Sequence, residues 1–123
     1  MTGRQFEDMC VDELKNAGYW VHRIHPDESG QQPFDIIAIR DNKVCVYDAK
    51  VISNGHRFPL SRIEDNQWYA FNKIKKRTSA THIGLLIYAE GKIYYMGFGA
   101  ISAAFKYGWK SIDTNNLPEW RPL

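Results

Sequence analysis

The chain is poor in the features that would take it outside ordinary globular domains. It has only two cysteines in 123 residues, Cys10 and Cys45. Neither sits at metal-ligand spacing, so a disulfide scaffold and a zinc module are both excluded. Two buried thiols in a reducing cytoplasm are expected instead. No long apolar run is present: the stretch from Ile83 to Ala89 is far short of the roughly 20 residues that span a bilayer. No membrane association is therefore expected. The segment from Met1 to Glu7 is polar and lacks the apolar core of a signal peptide. A dominant charge sign is also lacking. Sixteen basic residues against 14 acidic ones leave +2, which permits nucleic-acid binding without demanding it. Internal repeats, low-complexity tracts and linker-like stretches are absent, so residues 1–123 are read as one domain.

What is present suits a packed core. Hydrophobic residues make up 44% of the chain and aromatics 14%, enough for a single core at this length. Thr2 to Ala17 reads as a helix, with Thr2 and Gln5 at capping-box spacing and Gly18 to end it. Phe6, Cys10, Leu14 and Ala17 form its apolar stripe. Tyr19 to Ile24 reads as a strand, and His25 to Pro33 as a loop rich in turn-forming residues. Phe34 to Arg40 and Val44 to Ile52 are β-rich runs joined by the turn residues Asp41-Asn42, which predicts a hairpin. Ser61 to Lys76 reads as a second helix opened by a Ser61–Glu64 capping box, with Ile63, Ala70, Phe71 and Ile74 buried. His82 to Ala89 and Lys92 to Phe98 flank the turn at Glu90-Gly91, and a short helix near Ala100 to Tyr107 follows. The order α-β-β-β-α-β-β-α predicts an α/β fold, a central mixed sheet flanked by helices.

Chemistry concentrates on the predicted hairpin. Side chains alternate along a strand, so Val44, Val46, Asp48 and Lys50 share one face, and Asp35, Ile37 and Ile39 share another. A hairpin closed by an even-length loop puts Asp35 opposite Asp48, with Cβ atoms about 4.5–5.5 Å apart. Facing carboxylates repel, and a hard divalent cation such as Mg²⁺ removes the conflict. A metal there can hold a phosphate oxygen and acidify a water, while Lys50 steadies the developing negative charge. A plain salt bridge between Lys50 and either carboxylate is the competing reading. Glu7 beside the first helix's stripe and Gln67 on the second's are polar where burial is expected, so each needs a partner. If both helices pack on the carboxylate face, Glu7 and Gln67 point at the same site.

Glu7, Pro33-Phe34-Asp35, Asp48-Ala49-Lys50 and Gln67 together resemble the PD-(D/E)xK nuclease superfamily. Within it, acid-Ala-Lys followed by Phe58-Pro59-Leu60 and a helical Gln is similar to the RecU type of Holliday junction resolvase. The resemblance implies a restriction-endonuclease-like core, Mg²⁺ or Mn²⁺ as cofactor, a homodimer and branched DNA as substrate, in recombination, repair or phage DNA processing in the cytoplasm. It assigns Asp35 and Asp48 as metal ligands with the Ala49 carbonyl, and Glu7 as a further acidic ligand or a water-mediated contact. Lys50 becomes the catalytic lysine, and Gln67 orients it or the water. Three departures stand out. Asp48 occupies a place usually held by Glu, Asn66 precedes Gln67 where His is common, and only His25 to Pro33 fills the place of a long insertion before the first aspartate. The alternative is a non-cleaving DNA-binding module on the same fold.

Outside this set, Arg57 and the helix residues Lys73 and Lys76 are candidate phosphate contacts. The helix cations also suit a solvated helix end complementing the dipole. His22, His25 and His82 have no motif partner, and Tyr94 and Tyr95 fit sheet packing. Trp109 and Trp120 fit either core cover or a dimer face.

Overall fold

A computed structural model describes residues 1–25, 28, 32–77 and 81–123. Most of the loop expected over His25–Pro33 lies outside the described residues. Helix α1 (Gly3–Asn16) starts as anticipated: Thr2 accepts from the Gln5 N–H, and Gln5 reaches back to the Thr2 N–H. Ala17 closes it, and Gly18 turns the chain at φ 89°. Strands β1 (Trp20–Arg23), β2 (Ile36–Arg40) and β3 (Lys43–Val51) form an antiparallel run. The β2–β3 turn is the two residues Asp41-Asn42, with Arg40 paired to Lys43 and Asp41 at φ 54°.

After β3 the chain forms a short strand β4 (Arg57–Pro59), a 3-10 turn (Leu60–Arg62) and helix α2 (Asp65–Arg77). The capping box expected at Ser61–Glu64 does not form. Ile63 is extended, at φ −86° and ψ 109°, and this breaks the helical path. Glu64 takes the capping position instead: its carbonyl accepts from the Gln67 and Trp68 N–H groups at 3.0 and 3.1 Å. Strands β5 (Thr81–Ala89) and β6 (Lys92–Gly97), helix α3 (Phe98–Lys106) and strand β7 (Ser111–Asp113) complete the chain.

The main sheet has the order β1-β2-β3-β5-β6 and is mixed, because β3 and β5 run parallel while the other neighbours are antiparallel. The β4–β7 pair was not foreseen; three-residue strands are too short to show a period-2 pattern. Helices cover both faces. On one face, Phe6, Cys10, Val11 and Leu14 of α1 pack on Ile36, Ala38, Tyr47 and Leu86. On the other, Phe71 of α2 and Ile101 and Ala104 of α3 pack on Val46, Ile83, Leu85 and Ile87. Strand β3 lies in the middle, so its side chains are screened on both faces.

Cys10 and Cys45 are free and buried, as expected. Burial pushes the Cys10 thiol up to about 12, which makes it a poor nucleophile. Trp120 seals the α1-side core, whereas Trp109 is exposed. His82 does find a partner, the Tyr47 hydroxyl at 2.6 Å from Nδ1. No helix among the described residues is long and apolar enough to cross a membrane.

Candidate active site

The hairpin register decides where the carboxylates stand. Ile37 pairs with Val46 and Ile36 with Tyr47, and the Asp35 N–H donates to the Tyr47 carbonyl at 3.0 Å. That bond is one residue off the register in which Ile36 faces Tyr47, so the regular pairing ends at Ile36, and Asp35 stands past it, close enough for its charge to raise the Asp48 carboxyl. The Asp48 side chain is on the face of Val46, the face on which α2 packs, and Asp35 stands at the end of the sheet beside it.

Asp48 is only 3% exposed, with the apolar Leu85 as its β5 partner. Lys50 Nζ lies 3.0 Å from Asp48 Oδ2. That contact pairs the charges, but among the described residues no donor is aligned for a hydrogen bond to the buried Oδ2. The Asp48 carboxyl is raised to about 7, by burial first and then by the neighbouring Asp35 charge, with the Lys50 cation opposing both. Asp35 is better satisfied. Its Oδ2 accepts from the Ala49 N–H at 2.7 Å, and its Oδ1 accepts from the Gln32 amide.

One expectation is overturned at Glu7. The two helices do not share the carboxylate face: α1 packs on the opposite side, because the sheet is apolar on both faces and each takes a helix. Glu7 still comes near Asp35, which stands at the end of the sheet. Burial raises the Glu7 carboxyl, and the Asp35 charge adds to that rise. Glu7 is held by Arg23 of β1, whose Nε lies 3.4 Å from Glu7 Oε1, while the same guanidinium also pairs with Asp8. Sequence reasoning missed Arg23 and Gln32. Arg23 was open to detection: it alternates with Val21 onto the α1 face, where a lone cation needs an acid. Gln32 lies in an irregular segment and gave no signal.

Gln67 is 3% exposed on α2, on the carboxylate side of the sheet. Its Oε1 accepts from the Glu64 N–H at 3.2 Å, so it caps its own helix. The candidate DNA contacts are on the surface. Lys73 and Lys76 are exposed on α2, about 9 and 14 Å along the axis from Gln67. Arg57 is exposed on β4, paired in register with Asp113.

The structure thus brings Asp35, Asp48 and Lys50 together, with Ala49 tied to Asp35 and Glu7 at the border. Among the described residues, no three His, Cys, Asp or Glu side chains gather into a ready-made metal cage. The donors that are present nevertheless fit a hard cation. Two carboxyl groups lie near each other, and one buried oxygen has no hydrogen-bond partner among the described residues. Mg²⁺ typically takes only one or two protein carboxylates and completes its shell with water.

No protein-family model matches the chain. No curated protein sequence matches it either. Among solved structures it is similar to Hjc of Archaeoglobus fulgidus, a Holliday junction resolvase from an archaeal hyperthermophile. The TM-score is 0.57 at 17% sequence identity, over 79% of this chain and 78% of that one. The two share a fold, a central mixed sheet flanked by helices, which agrees with the architecture expected from the sequence.

Proposed function

We propose that the chain is a divalent-metal-dependent endonuclease that hydrolyses phosphodiester bonds in DNA, with branched DNA as its substrate. One observation carries this reading: a buried Asp48 carboxyl lies beside Asp35, has an oxygen with no hydrogen-bond partner among the described residues and has Lys50 at 3.0 Å. A structural sheet has little reason to bury such a pair, because each desolvated charge is costly. The fold shared with a Holliday junction resolvase supports the branched-DNA part of the proposal.

In this reading Asp35 and Asp48 hold the cation, with the Ala49 carbonyl as a third donor and Glu7 as an outer acid. When bound, Mg²⁺ or Mn²⁺ supplies a Lewis acid for a phosphate oxygen and a more acidic water. Lys50 is fixed against Asp48 and places a positive charge where the attacked phosphate becomes more negative. Gln67 stiffens the start of α2 beside the site. Arg23 opposes the rise that burial and the Asp35 charge give the Glu7 carboxyl at the rim. A four-way branch needs two cuts, which a homodimer supplies with two copies of one site.

The test incubates the purified chain with four-way, flap and linear DNA, with and without Mg²⁺. Metal-dependent products, richest on the branched forms, are expected. Binding without products at any metal concentration would instead indicate a non-cleaving DNA-binding module.

A further inference from the structure

Trp20 is 60% exposed, on the edge strand β1 of the main sheet. Its indole lies parallel to the His22 imidazole, with centroids 5.9 Å apart and planes 5° apart. The register pairs Trp20 with Ile39 and His22 with Ile37, which in turn face Val44 and Val46, so both rings stand on the face that carries Asp48 and Lys50. His22, Ile37 and Val46 form one row across three strands, and Asp48 lies two residues beyond Val46. The rings are therefore about 10 Å across the sheet and about 7 Å or more along it from Asp48.

The row that starts at Trp20 continues through Ile39 and Val44 to Thr81, where β5 begins. Helix α2 crosses this face, packing through Phe71 and Ile74, and its last turn carries Lys75, Lys76 and Arg77. The aromatic pair thus has carboxylates toward one end of the face and a cluster of cations toward the other. Flat exposed rings suit the π-face of a base, and the cations suit its phosphates. A paired base hides both its faces within the duplex stack, so only an unpaired base can use such a surface.

We infer that Trp20 and His22 form a shelf on which an unpaired base of the nucleic-acid substrate stacks, its phosphates turned to the basic end of α2. This rests on the nuclease reading and adds to it a basis for preferring branched or frayed DNA.

The test measures anisotropy of labelled DNA with the full chain and chelated metal. One DNA carries unpaired nucleotides with 2-aminopurine at one of them; the other is a fully paired duplex. Trp20→Ala is expected to bind the first about tenfold more weakly and the duplex within twofold of the parent. Trp20→Phe is expected to keep most of the affinity and of the 2-aminopurine quenching. Equal losses on both DNAs, or none on either, overturn the shelf. So does unchanged binding with a fall in sedimenting mass, which would make the surface a contact between copies. Mg²⁺-dependent cleavage is measured in parallel: cleavage without Trp20 dependence removes the shelf alone, and Trp20-dependent binding without cleavage removes the nuclease reading alone.

Discussion

Lys50 Nζ stands 3.0 Å from Asp48 Oδ2, inside a sheet face that is otherwise apolar. The lysine does not fully offset the cost of that burial, since the Asp48 carboxyl remains raised to about 7. Stability should therefore depend on pH in the direction opposite to most carboxylates. The folded form holds its Asp48 proton more tightly than the unfolded chain, whose ordinary value is 3.8. The contribution is full below about pH 4 and is lost as pH rises through 7, by about 4 kcal/mol at most. The melting temperature of the metal-free chain is expected to fall between pH 5 and 8, and Asp48→Asn should flatten that fall. An unchanged slope in the variant would assign the effect to Glu7, which is raised as well.

Removing the lysine exposes the other half of the pair. Lys50→Met should lower cleavage at least a hundredfold and destabilise the metal-free chain at pH 8 by about 1–3 kcal/mol, because a buried carboxylate loses its counter-charge. Lys50→Arg should restore part of the stability and little of the rate, since a planar fork does not occupy the place of a compact ammonium. Single-turnover cleavage and urea titration read the two effects separately.

Gln67 has a capping role as well as its proposed place beside the site. Gln67→Glu keeps an acceptor for the Glu64 N–H but removes the amide donor; Gln67→Ala removes both. Both variants should slow cleavage by about tenfold, and only the alanine should cost about 1 kcal/mol of stability. A glutamate variant with full activity would reduce Gln67 to a cap.

Gly84 tests the sheet that sets the register. A Cβ there would lie 2.2 Å from the Met96 carbonyl oxygen, where β5 and β6 pair at Gly84 and Gly97. Gly84→Ala is expected to cost about 3 kcal/mol or more. A melting temperature close to the parent's would show that the two strands can spread apart.

Local signals carried most of the fold. The Thr2–Gln5 box, the Asp41-Asn42 turn and period-2 runs are all contained within a few residues, and each appears where it was expected. The pairing of Ile37 with Val46 followed, because a two-residue turn fixes the pairs within β2 and β3, but the Asp35 N–H bonds the Tyr47 carbonyl and leaves that register. What failed depended on geometry beyond the local chain. Ser61–Glu64 has capping-box spacing, yet the extended Ile63 moves the helix start to Asp65. Placing α1 and α2 on one face required knowing that the sheet is apolar on both. The Arg23 link to Glu7 joins residues 16 apart through a turn that no spacing rule anticipates.

The central claim is metal-dependent hydrolysis at Asp35, Asp48 and Lys50. Its most direct test is denaturing electrophoresis of end-labelled four-way DNA after incubation with the parent chain and with Asp48→Asn, in Mg²⁺ and in chelator. Discrete products are predicted for the parent in Mg²⁺ alone, with a loss of at least a thousandfold in the variant. Cleavage that persists in chelator, or that survives Asp48→Asn, would contradict it.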